Sequence, residues 1–150
     1  MRLVIQRVTR AAVSADGEIT GSIGPGLAVL VGVGQRSTVE DARWLAAKTE
    51  QLRVFPGEGG RMARSVVELG GGILAVSQFT LYGDTRKGRR PSFTAAAGPE
   101  QGEELYDAYC AALSVPVATG RFGAYMTVDL AADGPVTLLL RSEDGEREGP

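Results

Sequence analysis

Histidine is absent from all 150 residues, and cysteine occurs once, at Cys110. The missing histidine removes the commonest metal ligand and the usual general base near neutrality, which counts against a zinc site and against a Ser-His-Asp triad. A lone cysteine permits no intrachain disulfide, and no cofactor and no metal is expected. No apolar run approaches the length of a membrane span, and Arg2 already enters a strand-like pattern where a secretory leader would place a charged segment and an apolar one. The expectation is a cytoplasmic protein with no membrane partner. Positive charge is not in excess either: the formal net charge is -2, which argues against coating nucleic acid with the whole surface and leaves room for one local basic contact.

What is present suffices for one core. A chain of 150 residues that is 43% hydrophobic can bury about two thirds of its unfolded surface without disulfide staples. The reading is a single domain over residues 1–142 with a flexible tail over 143–150, where the sequence is polar and glycine-rich. Leu3 to Val8 and Ala12 to Ser14 read as strand, Asp16-Gly17 as a tight hairpin turn, and Glu18 to Ile23 as the returning strand. The unbroken apolar run Leu27 to Val33 suits a central strand covered on both faces. Gly32 within it is open to two readings, close backbone approach or plain turn chemistry. Ser37 with Glu40 suggests a capping box for a helix reaching Leu52. Pro99 opens a second helix whose stripe includes Leu105, Tyr106, Tyr109 and Cys110, and Pro116 ends it. Met62 to Leu69 is ambiguous. Phe122 to Leu130 and Val136 to Leu140 read as two final strands joined by a turn at Asp133-Gly134-Pro135.

The most informative stretch is Ser77 to Asp84. An apolar strand from Ile73 to Val76 ends there, and Ser77, Gln78 and Thr80 place hydrogen-bonding groups around Phe79 where the chain leaves the core. A positive loop follows, with Arg86, Lys87, Arg89 and Arg90 within five residues. It reads as a contact for an anion or as an ordinary solvated loop.

With SQFTL at 77–81, TRKGRRPSF at 85–93, TGRFGAYM at 119–126, DGPVT at 133–137 and IQRV at 5–8, the chain resembles the D-aminoacyl-tRNA deacylases from about Met1 to Leu140. The resemblance implies an α+β fold: a single β-rich domain with barrel-like sheets and two main helices, paired as a two-fold homodimer. It implies hydrolysis of the ester joining a D-amino acid, or mischarged glycine, to the terminal adenosine of tRNA, with rejection of the L form. It assigns Ser77, Gln78, Phe79 and Thr80 to the pocket for the aminoacylated adenosine. Gly134-Pro135 matches a Gly-cis-Pro element that reaches into the other subunit's pocket and reads chirality. Arg7 matches the arginine that orients this element, Met126 lies in the tract leading to it, and Ala112 stands as a pocket-lining position. Arg86, Lys87, Arg89 and Arg90 become candidates for tRNA phosphates. Two departures are visible, Ala132 ahead of DGPVT and Tyr82 after SQFTL, and they bear on local loop packing or on contacts to the adenosine.

An aminoacyl ester is already activated, so fixing it beside a water and stabilising the developing oxyanion is most of the task. Backbone N–H groups at Phe79 or Thr80 can do this without histidine. Thr80 as a covalent nucleophile is the other assignment, and it lacks a base to activate the hydroxyl. A hydrolase for another ester class and a non-catalytic nucleic-acid-binding module remain as alternatives to the deacylase reading.

Overall fold

The computed structural model describes residues 1–148. Strand β1 (Arg2–Ala15) is the spine, and it turns into β2 (Glu18–Ile23) through Asp16 and Gly17, both at positive φ (53° and 78°) as a tight two-residue turn requires. After β3 (Gly26–Gly32) comes α1 (Val39–Gln51), then a small ribbon of β4 (Phe55–Pro56) and β5 (Met62–Arg64), then the single-turn helix α2 (Val66–Leu69). Next are β6 (Gly72–Ser77), α3 (Pro99–Ala112), β7 (Val117–Thr119), β8 (Met126–Glu143) and β9 (Glu146–Glu148). The main sheet runs β7-β6-β3-β1-β8-β9, with β2 paired to the far half of β1. The β3–β6 and β6–β7 ladders are parallel and the others antiparallel.

Alternation along the central strands serves two cores. Leu27, Val29, Ile73 and Ala75 point to the side covered by α1 and α3, where they meet Leu45, Ala46 and Tyr109. Ala28, Leu74 and Val76 point the other way, against Val8, Ala11 and Val13 of the bent far half of β1. That second core exists because β1 shifts register against β8 around Val8–Arg10 and carries β2 over β6 and β7.

The sheet therefore rolls, but the barrel implied by the family resemblance does not form. Among the described residues no ladder joins β2 to β7. They meet by packing at Gly21, where a Cβ would lie 2.6 Å from the Thr119 carbonyl oxygen. The fold is mixed α+β with an open sheet and three α-helices rather than two, and it is the fold of one chain, so the expected homodimer is not part of it.

Several local differences have plain causes. The α1 cap is Thr38 with Asp41, one residue beyond Ser37 and Glu40, and both halves of the box are made. Ser37 instead accepts from the Met1 amino group at 2.8 Å and donates to Glu143 Oε1 at 3.2 Å. The ambiguous segment 62–69 splits at Ser65, which caps α2 through a box with Glu68. The expected tail is a hairpin as far as it is described: Asp144 and Gly145 take positive φ (51° and 80°) and return β8 into β9. Asp41, 1% exposed, pins this hairpin by accepting from Ser142 Oγ at 2.6 Å and from the amides of Asp144 and Gly145 at 2.9 and 3.1 Å. Residues 149–150 of the expected tail lie outside the described residues.

Candidate active site

Strand β6 is buried from Ile73 to Val76 and becomes half-buried at Ser77, opposite Val31 of β3. The Gln78 amide donates to the Val31 carbonyl at 2.8 Å, and the chain then winds into a 3-10 turn over Phe79–Tyr82, closed by Gly83 N–H donating to Thr80 O at 2.9 Å. Gly32 resolves in favour of close approach: a Cβ there would lie 3.0 Å from Leu81 Cβ and 3.1 Å from Gln78 O. The turn is thus seated directly on β3.

Its far end is anchored as firmly. Tyr82 is 3% exposed, the Arg2 guanidinium lies 4.3 Å from its ring centroid, and Arg2 Nη1 donates to Leu81 O at 3.0 Å. Burial, first among the causes, pushes the Tyr82 hydroxyl well above the usual tyrosine range, so it remains a donor.

The near end faces an open cavity of about 690 Å³. Ser77, Gln78, Phe79 and Thr80 line it, as do residues 122–126. Gln78 Nε2 donates to Thr80 Oγ1, which leaves the threonine proton free to point elsewhere. Phe79 is 57% exposed and meets Phe93 edge-on, with centroids 5.1 Å apart. The first amides of a helical turn have no acceptor within it, and Gln78 supplies no side-chain cap, so the N–H groups of Phe79 and Thr80, two residues that line the cavity, are left without an acceptor in the turn. Among the described residues no group of three acidic, cysteine or histidine side chains is placed to hold a metal.

Other expected site residues fall in different places. Met126 lines the cavity, over Gly120, where a Cβ would come within 2.5 Å of the methionine sulfur. Ala112 does not line it: it is exposed on the last turn of α3. The α3 residues that do are Pro99, Gly102 and Tyr106. Tyr106 donates to Ala75 O at 2.7 Å, and Gly102 leaves room for Phe122, whose ring a Cβ would meet at 3.4 Å. Neither was legible, because a helical stripe reads as core whether it faces a sheet or a cavity. Phe122 belonged to an expected strand; instead it sits in a turn with Gly123 at φ +76°, and β8 begins only at Met126.

Gly134-Pro135 is also absent from the cavity wall. Asp133 to Val136 do not make a hairpin turn; they leave the β1–β8 ladder as an excursion opposite Arg7, between the pairs Gln6↔Thr137 and Val8↔Ala132. The Gly134–Pro135 peptide is cis, as the resemblance implied, and both residues are exposed. Arg7, 8% exposed, holds the base of the excursion. Its Nε lies 3.2 Å from both Asp133 O and Asp133 Oδ2, and its Nη1 donates to Val54 O at 2.5 Å.

The basic side chains Arg86, Lys87, Arg89 and Arg90 are all exposed, on a loop closed by the reciprocal amide bonds of Asp84 and Ser92 at 2.8 and 2.9 Å. Arg86 is committed to Asp84, with Nε to Oδ1 at 2.9 Å and Nη2 to Oδ2 at 2.7 Å, and these bonds hold the carboxyl at about 2. Lys87, Arg89 and Arg90 make no ion pair among the described residues.

A family model described as D-Tyr-tRNA(Tyr) deacylase matches residues 4–141. The chain belongs to the D-Tyr-tRNA(Tyr) deacylase family. Curated relatives agree with that membership. A D-aminoacyl-tRNA deacylase of Deinococcus radiodurans is 54% identical over 143 residues, covering 93% of this chain and 99% of its own. One of Chloroflexus aurantiacus is 55% identical, covering 96% and 92%. Among solved structures, a c-Myc DNA unwinding element binding protein is 40% identical with a TM-score of 0.89, over 95% of this chain and 99% of its own. A probable eukaryotic D-amino acid tRNA deacylase shares the fold at 19% identity, with a TM-score of 0.78 over 92% and 97%. Membership makes the chain a hydrolase acting on aminoacyl-tRNA, and no helix of the described residues is long and apolar enough to cross a membrane.

Proposed function

We propose that this chain removes D-amino acids, and glycine attached to the wrong tRNA, from the terminal adenosine of tRNA in the cytoplasm while leaving L-aminoacyl esters intact. The observation that carries the reading is the cavity at the exit of β6. It is large enough for one aminoacylated nucleoside, and it is lined by Phe79 and Thr80 at the uncapped start of the turn. A water attacks the ester carbonyl carbon, and the amides of Phe79 and Thr80 receive the negative charge that develops on the carbonyl oxygen. The bond to the ribose oxygen then breaks, a proton passes to that oxygen, and the free amino acid and tRNA leave. Thr80 orients and donates, and the ribose 2'-hydroxyl assists the water. With no histidine in the chain, an acyl-threonine route has no activating base.

Chirality, on this reading, is set by a second copy of the chain. In a homodimer, Gly134-Pro135 of one subunit enters the cavity of the other, and its backbone carbonyls receive the substrate ammonium. The α-carbon is then fixed, an L side chain meets rigid backbone, and glycine passes. Consistent with a donor in trans, the excursion is exposed and lies off the cavity wall of its own chain.

The first test is release of amino acid from D-aminoacyl-, L-aminoacyl- and glycyl-tRNA by the purified protein. Release from the D and glycyl substrates alone supports the reading, and equal release from the L substrate sinks it. Sharing of sites is tested by co-expressing a Thr80→Ala chain with a Gly134→Val chain. If the element acts across subunits, the mixed dimer regains one intact site, whereas an element acting within its own chain leaves every site defective.

A further inference from the structure

Tyr125 is the most exposed large apolar side chain of the protein that the cavity also touches: it is 94% exposed and stands on the cavity rim. It is held out by its backbone. The turn that precedes it is closed by Ala124 N–H donating to Arg121 O at 3.1 Å, Gly123 takes φ +76°, and Met126 then enters β8 with its side chain inward. The neighbouring aromatic Phe122 packs on Tyr106, and Phe79, also on the cavity lining, packs on Phe93. Tyr125 has no aromatic partner and no hydrogen bond to its hydroxyl among the described residues. A flat, rigid ring left in water beside a nucleoside-sized cavity is the arrangement used to stack a nucleobase.

We propose that Tyr125 is the stacking platform for the nucleotide next to the terminal adenosine of the acceptor strand. This subsite rests on the deacylase reading above. The cavity has room for one nucleoside with its amino acid, so the preceding base of the single-stranded end must lie outside it, on the rim. Two stretches of the cavity lining differ. The Phe93 side continues through Ser92 into the basic loop carrying Lys87, Arg89 and Arg90, which suits phosphates. The Tyr125 side presents an aromatic face with only Arg121 beside it in sequence, and Arg121 is drawn to Asp16 at 3.3 Å. An aromatic face for a base and a basic loop for phosphates is the division of labour found where single strands are bound without strict sequence readout.

The test compares three D-aminoacyl esters: on full tRNA, on a cytidylyl-adenosine dinucleotide, and on adenosine alone. Tyr125→Ala is expected to lower kcat/KM on the tRNA and dinucleotide esters by about 5- to 30-fold more than on the adenosine ester. The difference should appear in KM, and Tyr125→Trp should restore it. An equal loss on all three esters, or no loss on any, overturns the platform. A change of oligomeric mass in Tyr125→Ala, measured by sedimentation, overturns it as well, because the ring would then be an interface residue between copies. Failure of the unaltered protein to hydrolyse any D ester defeats the deacylase reading itself and the subsite with it.

Discussion

The hydroxyl of Tyr82 donates to Glu143 Oε1 at 2.9 Å, tying the end of the SQFTL turn to the end of β8 in a buried contact. Tyr82→Phe keeps the ring under the Arg2 guanidinium and removes only the donor. It should lower the free energy of unfolding by about 1–3 kcal/mol, because a buried carboxylate loses a partner. Urea unfolding gives the value, and an unchanged midpoint means that Glu143 finds another donor.

Asp41 supplies a pH dependence of known sign. Burial alone would raise its carboxyl; the bonds from Ser142, Gly145 and Thr38 outweigh this and hold it at about 2, against 3.8 for the free side chain. Its folded value is depressed, so its contribution is complete above pH 4 and is lost as pH falls toward 2. The loss is on the order of 2 kcal/mol. Thermal melts from pH 6 to pH 2 should show this slope, and Asp41→Asn should flatten it while lowering stability at neutral pH.

Gly32→Ala tests how tightly the SQFTL turn is seated. The added methyl would press on Leu81 Cβ and Gln78 O at about 3 Å, displacing a turn whose residues line the cavity. Small misplacements of catalytic groups cost up to about 10²-fold, so kcat on D-aminoacyl-tRNA should fall by tens of fold while the unfolding midpoint moves little. Loss of both in proportion would mean the turn and β3 move as one unit.

The basic loop divides into two kinds of arginine. Alanine at Lys87, Arg89 or Arg90 should weaken tRNA binding and reduce the slope of log Kd against log salt by about 0.7–0.9 for each phosphate contact removed. Arg86→Ala should change the slope less, because its guanidinium is bound to Asp84. Filter binding across a salt series separates the two, and a slope indifferent to all four substitutions removes the phosphate assignment.

Parts of this molecule are readable from its residues because local chemistry decides them. Asp16-Gly17 demanded a tight turn, Leu27 to Val33 demanded two covered faces, and Pro99 demanded a helix start; the turn and the helix start are found, and the strand is found as far as Gly32. Asp144-Gly145 carried the same turn signal as Asp16-Gly17 but lay in a polar end whose composition suggested fraying; the buried Asp41 carboxylate, remote in sequence, supplies what composition could not show. Thr38 won the α1 cap from Ser37 for a similar reason, since Ser37 is drawn to Met1 and Glu143. At the cavity, Ser77 to Thr80 announced themselves as polar groups at a strand exit. Gly102, Tyr106 and Phe122 did not, because a cavity wall and a core have the same apolar periodicity. Closure of a sheet depends on where its edges meet, and nothing in the strand-forming residues of β2 and β7 reports that they pack at Gly21 without pairing.

The excursion at Asp133–Val136 also marks a change of core. From Ile5 to Ala11 β1 advances six residues while its partner β8 takes eight, from Leu130 to Leu138. Before the excursion, Met126 and Val128 pack with Val8, Ala11 and Val13; after it, Leu138 and Leu140 pack into the core beneath α1 and α3. Asp133 to Val136 have no ladder partner on β1, so the reach of this element can change in length without moving a pair on either side of it.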